Sequence, residues 1–459
     1  DAATLTQGAN TATVKRVVIE SGDALAGTAA GRLVITAPAP GSFVAGAATL
    51  SGGGTVTLSG AEAQIPRPAG GKYQFVVDNF GGQLATRRVY GCDGVGLAFE
   101  FDGDVIVPIV TSTVPDTPVH VAVFKDHLML AFEGSVVHSA PGMPYNFQGI
   151  DGATEIAVGD RITGLTVTRG EQAGGSMVIY GRNSTSVLYG NNATDWQKVA
   201  YGEGSGGIRY SAQYLNEPYV LDDRGVVTLR TSQAYGNFDQ ATLTSNIQPF
   251  INAKRTLVSA SLVNRAKSQY RIFFTNGYGF YVTALGKKII GIMPVFFPDI
   301  VRCTWTAEDT SGNEVMFFGS DDGYVYQLDK GTSFDGESIE FILDLAYNFF
   351  GSPRIDKSYH SATVEVSGTG YAAFNFGYSL GYASTNIAQP DQTAVTTSFA
   401  ATNWDSVVWD SFVWDGVTLL PNIVAMTGMA ENVSLSIRGD ADYYEAFTVS
   451  GIIVHHTLR

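Results

Sequence analysis

Six short segments each set Asn or Asp, often beside Gly, between two runs rich in β-branched and aromatic residues, and this recurring hairpin is what most limits the fold. The markers are Asn79, Asp126, Asn183, Asp223, Asn276 and Asp322, at intervals of 47, 57, 40, 53 and 46 residues. Asn-Gly and Asp-Gly pairs supply the positive φ that a tight two-residue turn demands. Scarcely any segment carries apolar residues at helical spacing for three turns, so the chain reads as all-β. A period of roughly 40–50 residues with several short strands in each is the signature of propeller blades, four-stranded sheets that bury their faces against their neighbours. We therefore expect an irregular β-propeller of five or six blades over residues 71–350. The repeats carry no Trp-Asp or Gly-His pair at matching positions, which separates them from the common scaffold propellers.

The flanks read differently. Residues 1–70 are rich in Ala, Gly, Thr and Pro, with alternating runs such as Arg32–Thr36 and Gly54–Leu58, and predict a small N-terminal β region. Residues 351–459 predict a β-sandwich-like C-terminal domain, with the N-terminal region as its candidate packing partner. There Ser361–Val366 and Ala373–Tyr378 alternate cleanly, a loop spans Ala383–Ser398, and a strand-like run from Glu445 to His456 closes the chain.

Composition removes several functions. The chain holds 28 Lys and Arg against 43 Asp and Glu, a formal charge of −15, so it cannot grip nucleic acid over its whole surface by releasing counterions from phosphates. Only 15% of residues are charged, where about 25% is usual, so much of the surface must be Gly, Ser, Thr and aromatic, the kind that meets other protein. Cys92 and Cys303 stand alone, with no partner spaced for a zinc site or a disulfide framework, and as dispersed thiols they are expected to be small buried hydrophobes. No run of about 18 apolar residues is present, and the first residues lack the basic and apolar regions of a signal peptide, so neither membrane insertion nor secretion is expected.

The search for catalytic groups finds no nucleophile elbow, phosphate-binding Gly loop or His-Glu-x-x-His helix, and no catalytic, cofactor or metal residue is assigned. His120, His127 and His138 lie near strands and turns, where an isolated His is solvent-facing or hydrogen-bonded. His455 and His456 point to opposite strand faces and make a poor metal pair. Acid-rich turns at Asp222–Gly225, Ser320–Gly323 and Ser333–Gly336 are the candidates for the paired carboxylates of a propeller glycosidase. None fits the Ser-x-Asp-x-Gly-x-x-Trp box of sialidases, and turn stabilisation by Asp accounts for them. Trp404, Trp409 and Trp414 recur every five residues, each followed by Asp. The odd spacing turns Trp409 away from the other two on an extended strand, so the three read as a rigid packing bracket or a candidate interface anchor, with sugar stacking as the remaining reading.

The runs Gly70-Gly-Lys-Tyr-Gln-Phe-Val-Val-Asp-Asn-Phe-Gly-Gly, Tyr90-Gly-Cys-Asp-Gly-Val, Phe124-Lys-Asp-His-Leu-Met-Leu-Ala-Phe, Ser139-Ala-Pro-Gly-Met-Pro, Ala234-Tyr-Gly-Asn-Phe, Ser268-Gln-Tyr-Arg-Ile-Phe-Phe and Phe318-Gly-Ser-Asp-Asp-Gly-Tyr-Val-Tyr, with the Trp-Asp repeat and the ending Ile452-Ile-Val-His-His-Thr-Leu-Arg, resemble the tail nozzle, or tail-tube hub, proteins of short-tailed bacteriophages. The likeness is spread over residues 70–459. It implies a non-enzymatic virion protein without cofactor, assembled in the host cytoplasm as a ring, usually a homohexamer. Such a ring hangs below a head-to-tail adaptor and portal, beside other tail proteins such as fibres, around a channel for DNA retention and ejection. Six copies at −15 each would carry −90 formal charges, and an acidic wall lets a duplex pass without bound states. The competing expectation is a propeller-type carbohydrate-binding or glycoside-hydrolysing protein.

Overall fold

The computed structural model describes residues 3–82, 86–168, 175–190, 192–229, 243–286, 288–368, 371–398, 419–441 and 446–459. It divides into two units, Asp1–Leu328 and Asp329–Arg459.

The first unit contains a six-bladed β-propeller. Its inner strands are Gln74–Asp78, His120–Phe124, Ile162–Val167, Gln213–Tyr214, Val258–Asn264 and Cys303–Glu308, beginning 42 to 51 residues apart. From each, the chain meanders outward through antiparallel neighbours in sequence order. Blades one, two, three and five have four strands and blades four and six have three. The hairpin markers fall one to a blade. Asn79 and Asp126 sit in the first hairpin of their blades and the other four in the second, which explains the long interval between Asp126 and Asn183. At Asp126 the turn is Lys125-Asp126 with φ of 49° and 60°, a two-residue turn of the primed type made without Gly.

The blades hold one another by alternation of side chains across each sheet. In the strand His127–Ala131 every residue is buried. Leu128 and Leu130 join a core with Tyr90, Cys92 and Ile109 of blade one, while Met129 and Ala131 join another with Ile162, Met177 and Ile179 of blade three. Blade three repeats the device: Met177 and Ile179 face backward, Val178 and Tyr180 forward onto Val220 and Val227. Each fully buried side chain of this size contributes about 2 kcal/mol, so every inter-blade seam adds to the unit's stability. Blade six meets blade one by side-chain packing, Phe75 edge-on to Trp305 at 6.2 Å between ring centroids. Among the described residues the two blades remain separate sheets.

The N-terminal sheet orders its strands Ala30–Ile35, Asn10–Ser21, Thr4–Gln7, Gly46–Leu50 and Thr55–Leu58 around Leu5, Val14 and Phe43. It belongs to the propeller unit, tied to blade one by Arg16 on Glu100 at 2.9 Å and by Arg32, which donates to the Pro108 carbonyl at 2.7 Å.

The second unit is a two-sheet sandwich. One sheet runs Ile339–Asp344, Val433–Ala441, Tyr371–Leu380, Thr393–Ser398; in the other, Lys357–Gly368 pairs with Leu419–Ala425, Met429–Ala430 and Phe447–Leu458. Val364 and Val366 face Phe374, Phe376 and Ile437 across its core. Two expectations are corrected here. The propeller ends at Leu328 and not at 350, because Ile339–Asp344 pairs with a strand almost a hundred residues later. Its local alternation is the same as a blade strand's, and only the distant partner separates them. The segment read as a loop over Ala383–Ser398 ends in the strand Thr393–Ser398, whose Thr-rich polar face gives little apolar contrast.

Candidate functional site at the propeller axis

The six inner strands surround a hollow of about 620 Å³, to which each contributes, through Gln74, His120, Gly164, Gln213, Ser261 and Thr304 in turn. That is the size of a small-molecule site, and far too small for a double helix. Gly164 is required where blades three and four approach: a Cβ there would stand 2.8 Å from the Ala212 Cβ.

Most polar groups of this wall are already committed. Ser259 donates to the Val301 carbonyl at 2.6 Å, Ser261 to that of Tyr210 at 2.5 Å, and Thr304 to that of Ser261 at 2.8 Å. Arg265 pairs with Glu308 and Glu314. Glu314 is the one carboxylate among the described lining residues, so the two-carboxylate arrangement of a glycosidase is not assembled in the hollow.

Two groups stand out. His120 places Nδ1 2.8 Å from the Gln74 Oε1, so Nδ1 carries the hydrogen and Nε2, buried and without a partner among the described residues, is a bare lone pair. Burial, helped by the charge of Arg209, pushes its pKa down to about 3. Because the unfolded imidazole titrates near 6.5, the unfolded state binds the extra proton between those limits. Stability is then full above about pH 6.5 and falls on acidification, by about 1.4 kcal/mol per pH unit at the steepest. Urea melts at pH 7 and pH 4.5 should show this loss, and His120→Asn should reduce it.

Lys72 has no carboxylate partner among the described residues. Its ammonium lies 3.6 Å from the centroid of the Tyr210 ring, and Tyr210 itself holds φ at 67°, in the left-handed region. Burial brings the amine down to about 8, opposed in part by Cys303 and helped by the like charge of Arg302. The folded protein therefore bears the cost of this charge below pH 8 and is relieved of it as pH rises toward 10.5, where the unfolded lysine also loses its proton. Lys72→Met should raise stability at pH 7 by about 1–2 kcal/mol after allowance for partial exposure. The gain should fade above pH 10, as read by denaturant midpoints.

Cys303 corrects an expectation. It is exposed, at the start of the innermost strand of blade six, where a small residue faces the hollow, whereas Cys92 is fully buried in the seam between blades one and two. His127 and His138 are buried and both donate from Nδ1 to the Ser139 carbonyl, at 2.6 and 3.0 Å, with Trp196 packed on both rings. Asp223 accepts from Arg182, Asp321 from Arg302 at 2.6 Å, and Asp322 from the Tyr324 backbone N–H at 2.9 Å. The carboxylates of Asp223, Asp321 and Asp322 are thus each engaged by a neighbouring donor, and in the turn at Ser333–Gly336 it is the Ser333 hydroxyl oxygen that accepts from the Gly336 N–H. His455 is exposed beside Thr363, while His456 stacks on Phe350 at 5.0 Å, on the opposite strand face as expected. Trp404, Trp409 and Trp414, and the run from Ala234 to Phe238, lie outside the described residues.

No family model and no curated protein matches the chain. Among solved structures it is similar to BBS1N in complex with ARL6DN, in crystals soaked with lead and with mercury. The first aligns at 12% identity over 56% of this chain and 78% of that one, with a TM-score of 0.40. The second aligns at 12% identity over 56% and 90%, with a TM-score of 0.32.

Proposed function

We propose that this chain is a structural virion protein of a short-tailed phage, forming the nozzle or hub ring of the tail below the portal and adaptor. The observation that supports this best is the outer edge of blade five. Its strand Lys288–Phe296 is the longest outer strand of the propeller, and it leaves Ile290, Met293 and Phe296 more than half exposed, with Leu285 and Tyr278 beside them. An uncovered apolar edge of this length is a template for another chain unless something covers it. A closed ring offers each copy a neighbour at such an edge through repeated head-to-tail contacts. In this reading the DNA path runs between copies, and the hollow of each propeller plays no part in it. The low charge and the acidic balance of the chain suit a wall that a duplex slides past.

The reading is tested by sedimentation velocity of the full chain. Assembly into a ring-sized species should be lost in Ile290→Glu/Phe296→Glu, while circular dichroism and the melting profile stay those of the parent, because both side chains face outward. A parent chain that sediments as a monomer at every concentration, or one that cleaves a glycan, would favour the carbohydrate-directed propeller instead.

A further inference from the structure

The hollow at the propeller axis contains a cation, Lys72, with no carboxylate beside it among the described residues. Around it, Arg265 is held by Glu308 and Glu314, Arg302 by Asp321, and His120 stays neutral with its one N–H given to Gln74. The hydroxyls of Ser259, Ser261 and Thr304 all donate to backbone carbonyls, and the Gln213 amide donates to Ser261. Among the described residues the three N–H bonds of Lys72 meet no acceptor, and the ammonium rests against the face of Tyr210. Taking an ammonium largely out of water without a counter-charge is unfavourable, and the aromatic face recovers a fraction of that cost. An anion seated beside it would recover the rest. We propose that the propeller hollow binds a small oxyanion, a carboxylate or phosphate group, through Lys72, with the rings of Phe75 and Trp305 flanking the body of the molecule that carries it. The volume suits a metabolite-sized ligand, and both rings line the same hollow. This site is independent of the ring assembly proposed above.

Cys303 provides a built-in reporter. It lines the hollow and lies close enough to Lys72 to act on its charge, while the other cysteine is fully buried. The full-length protein is treated with an uncharged maleimide at pH 7, with inorganic phosphate, acetate or chloride at equal ionic strength, and binding is followed in parallel by calorimetry. The expected result is one-site binding of phosphate or acetate and a saturable slowing of Cys303 modification, three-fold or more, beyond that in chloride. Comparing the two anions tells a phosphate site from a carboxylate site. In Lys72→Met the protection should vanish. In the parent it should also fade as pH is raised past 9, because the neutral amine no longer attracts an anion; this second reading needs no variant to fold. No binding and no protection beyond chloride would overturn the proposal. So would equal protection in Lys72→Met, or protection that persists unchanged at pH 10.

Discussion

Lys357→Met should destabilise the C-terminal sandwich by about 4 kcal/mol, enough to lower its melting transition by on the order of 10 °C. Lys357 is completely buried, yet its ammonium is saturated: Nζ donates to the carbonyls of Ser352 at 2.6 Å, Ile355 at 2.8 Å and Glu431 at 2.8 Å. Three donors meet three acceptors, all of them backbone carbonyls outside the sheet ladders. Methionine fills the volume and removes every one of these charge-assisted bonds, leaving carbonyls facing an apolar chain end. Lys357→Arg should be nearly as damaging, since a planar fork does not match three converging carbonyls. Scanning calorimetry that separates the two units should show the sandwich transition shifted and the propeller transition unmoved. Equal shifts of both, or no shift, would contradict this account of the residue.

Glu100→Ala should cost the propeller unit about 3–5 kcal/mol, because removing one member of a buried ionic cluster strands the others. Glu100 is 2% exposed, pairs with Arg16 at 2.9 Å and Arg88 at 3.3 Å, and accepts the hydroxyl hydrogen of Tyr145. Arg16 comes from the N-terminal sheet, Arg88 and Glu100 from blade one, and Tyr145 from beyond the third strand of blade two. One carboxylate thus joins three parts of the unit. Glu100→Gln keeps the shape and loses the charge, and should cost about half as much. Limited proteolysis should then release residues before 70 from the alanine variant well ahead of the rest, whereas a purely local role for Glu100 would leave that order unchanged.

What the sequence made legible follows from where each signal is written. Turn chemistry is local, so the Asn and Asp markers announced five or six blades and fall one to a blade in the six observed, and the alternating strands of the C-terminal region announced a sandwich. Middle strands such as His127–Ala131 are apolar on both faces because each face packs on a different blade, and such runs have no period of two to read. The boundary at Leu328 depends on which strand pairs with Ile339–Asp344, a fact stored far away in the chain. The hollow was illegible for the same reason: Lys72, Tyr210 and Cys303 come from three distant segments, and nothing local distinguishes Lys72 from a solvated surface lysine. Composition does not tell an inner strand facing a wet hollow, as at Cys303, from one facing a seam, as at Cys92.

The assembly state decides the central proposal, and particle imaging of the purified full chain reads it directly. The account predicts closed rings, six copies by resemblance to tail nozzles, around an opening that passes a double helix and is walled by acidic residues. Solitary particles under every condition, or rings whose opening is lined with Lys and Arg, would contradict it.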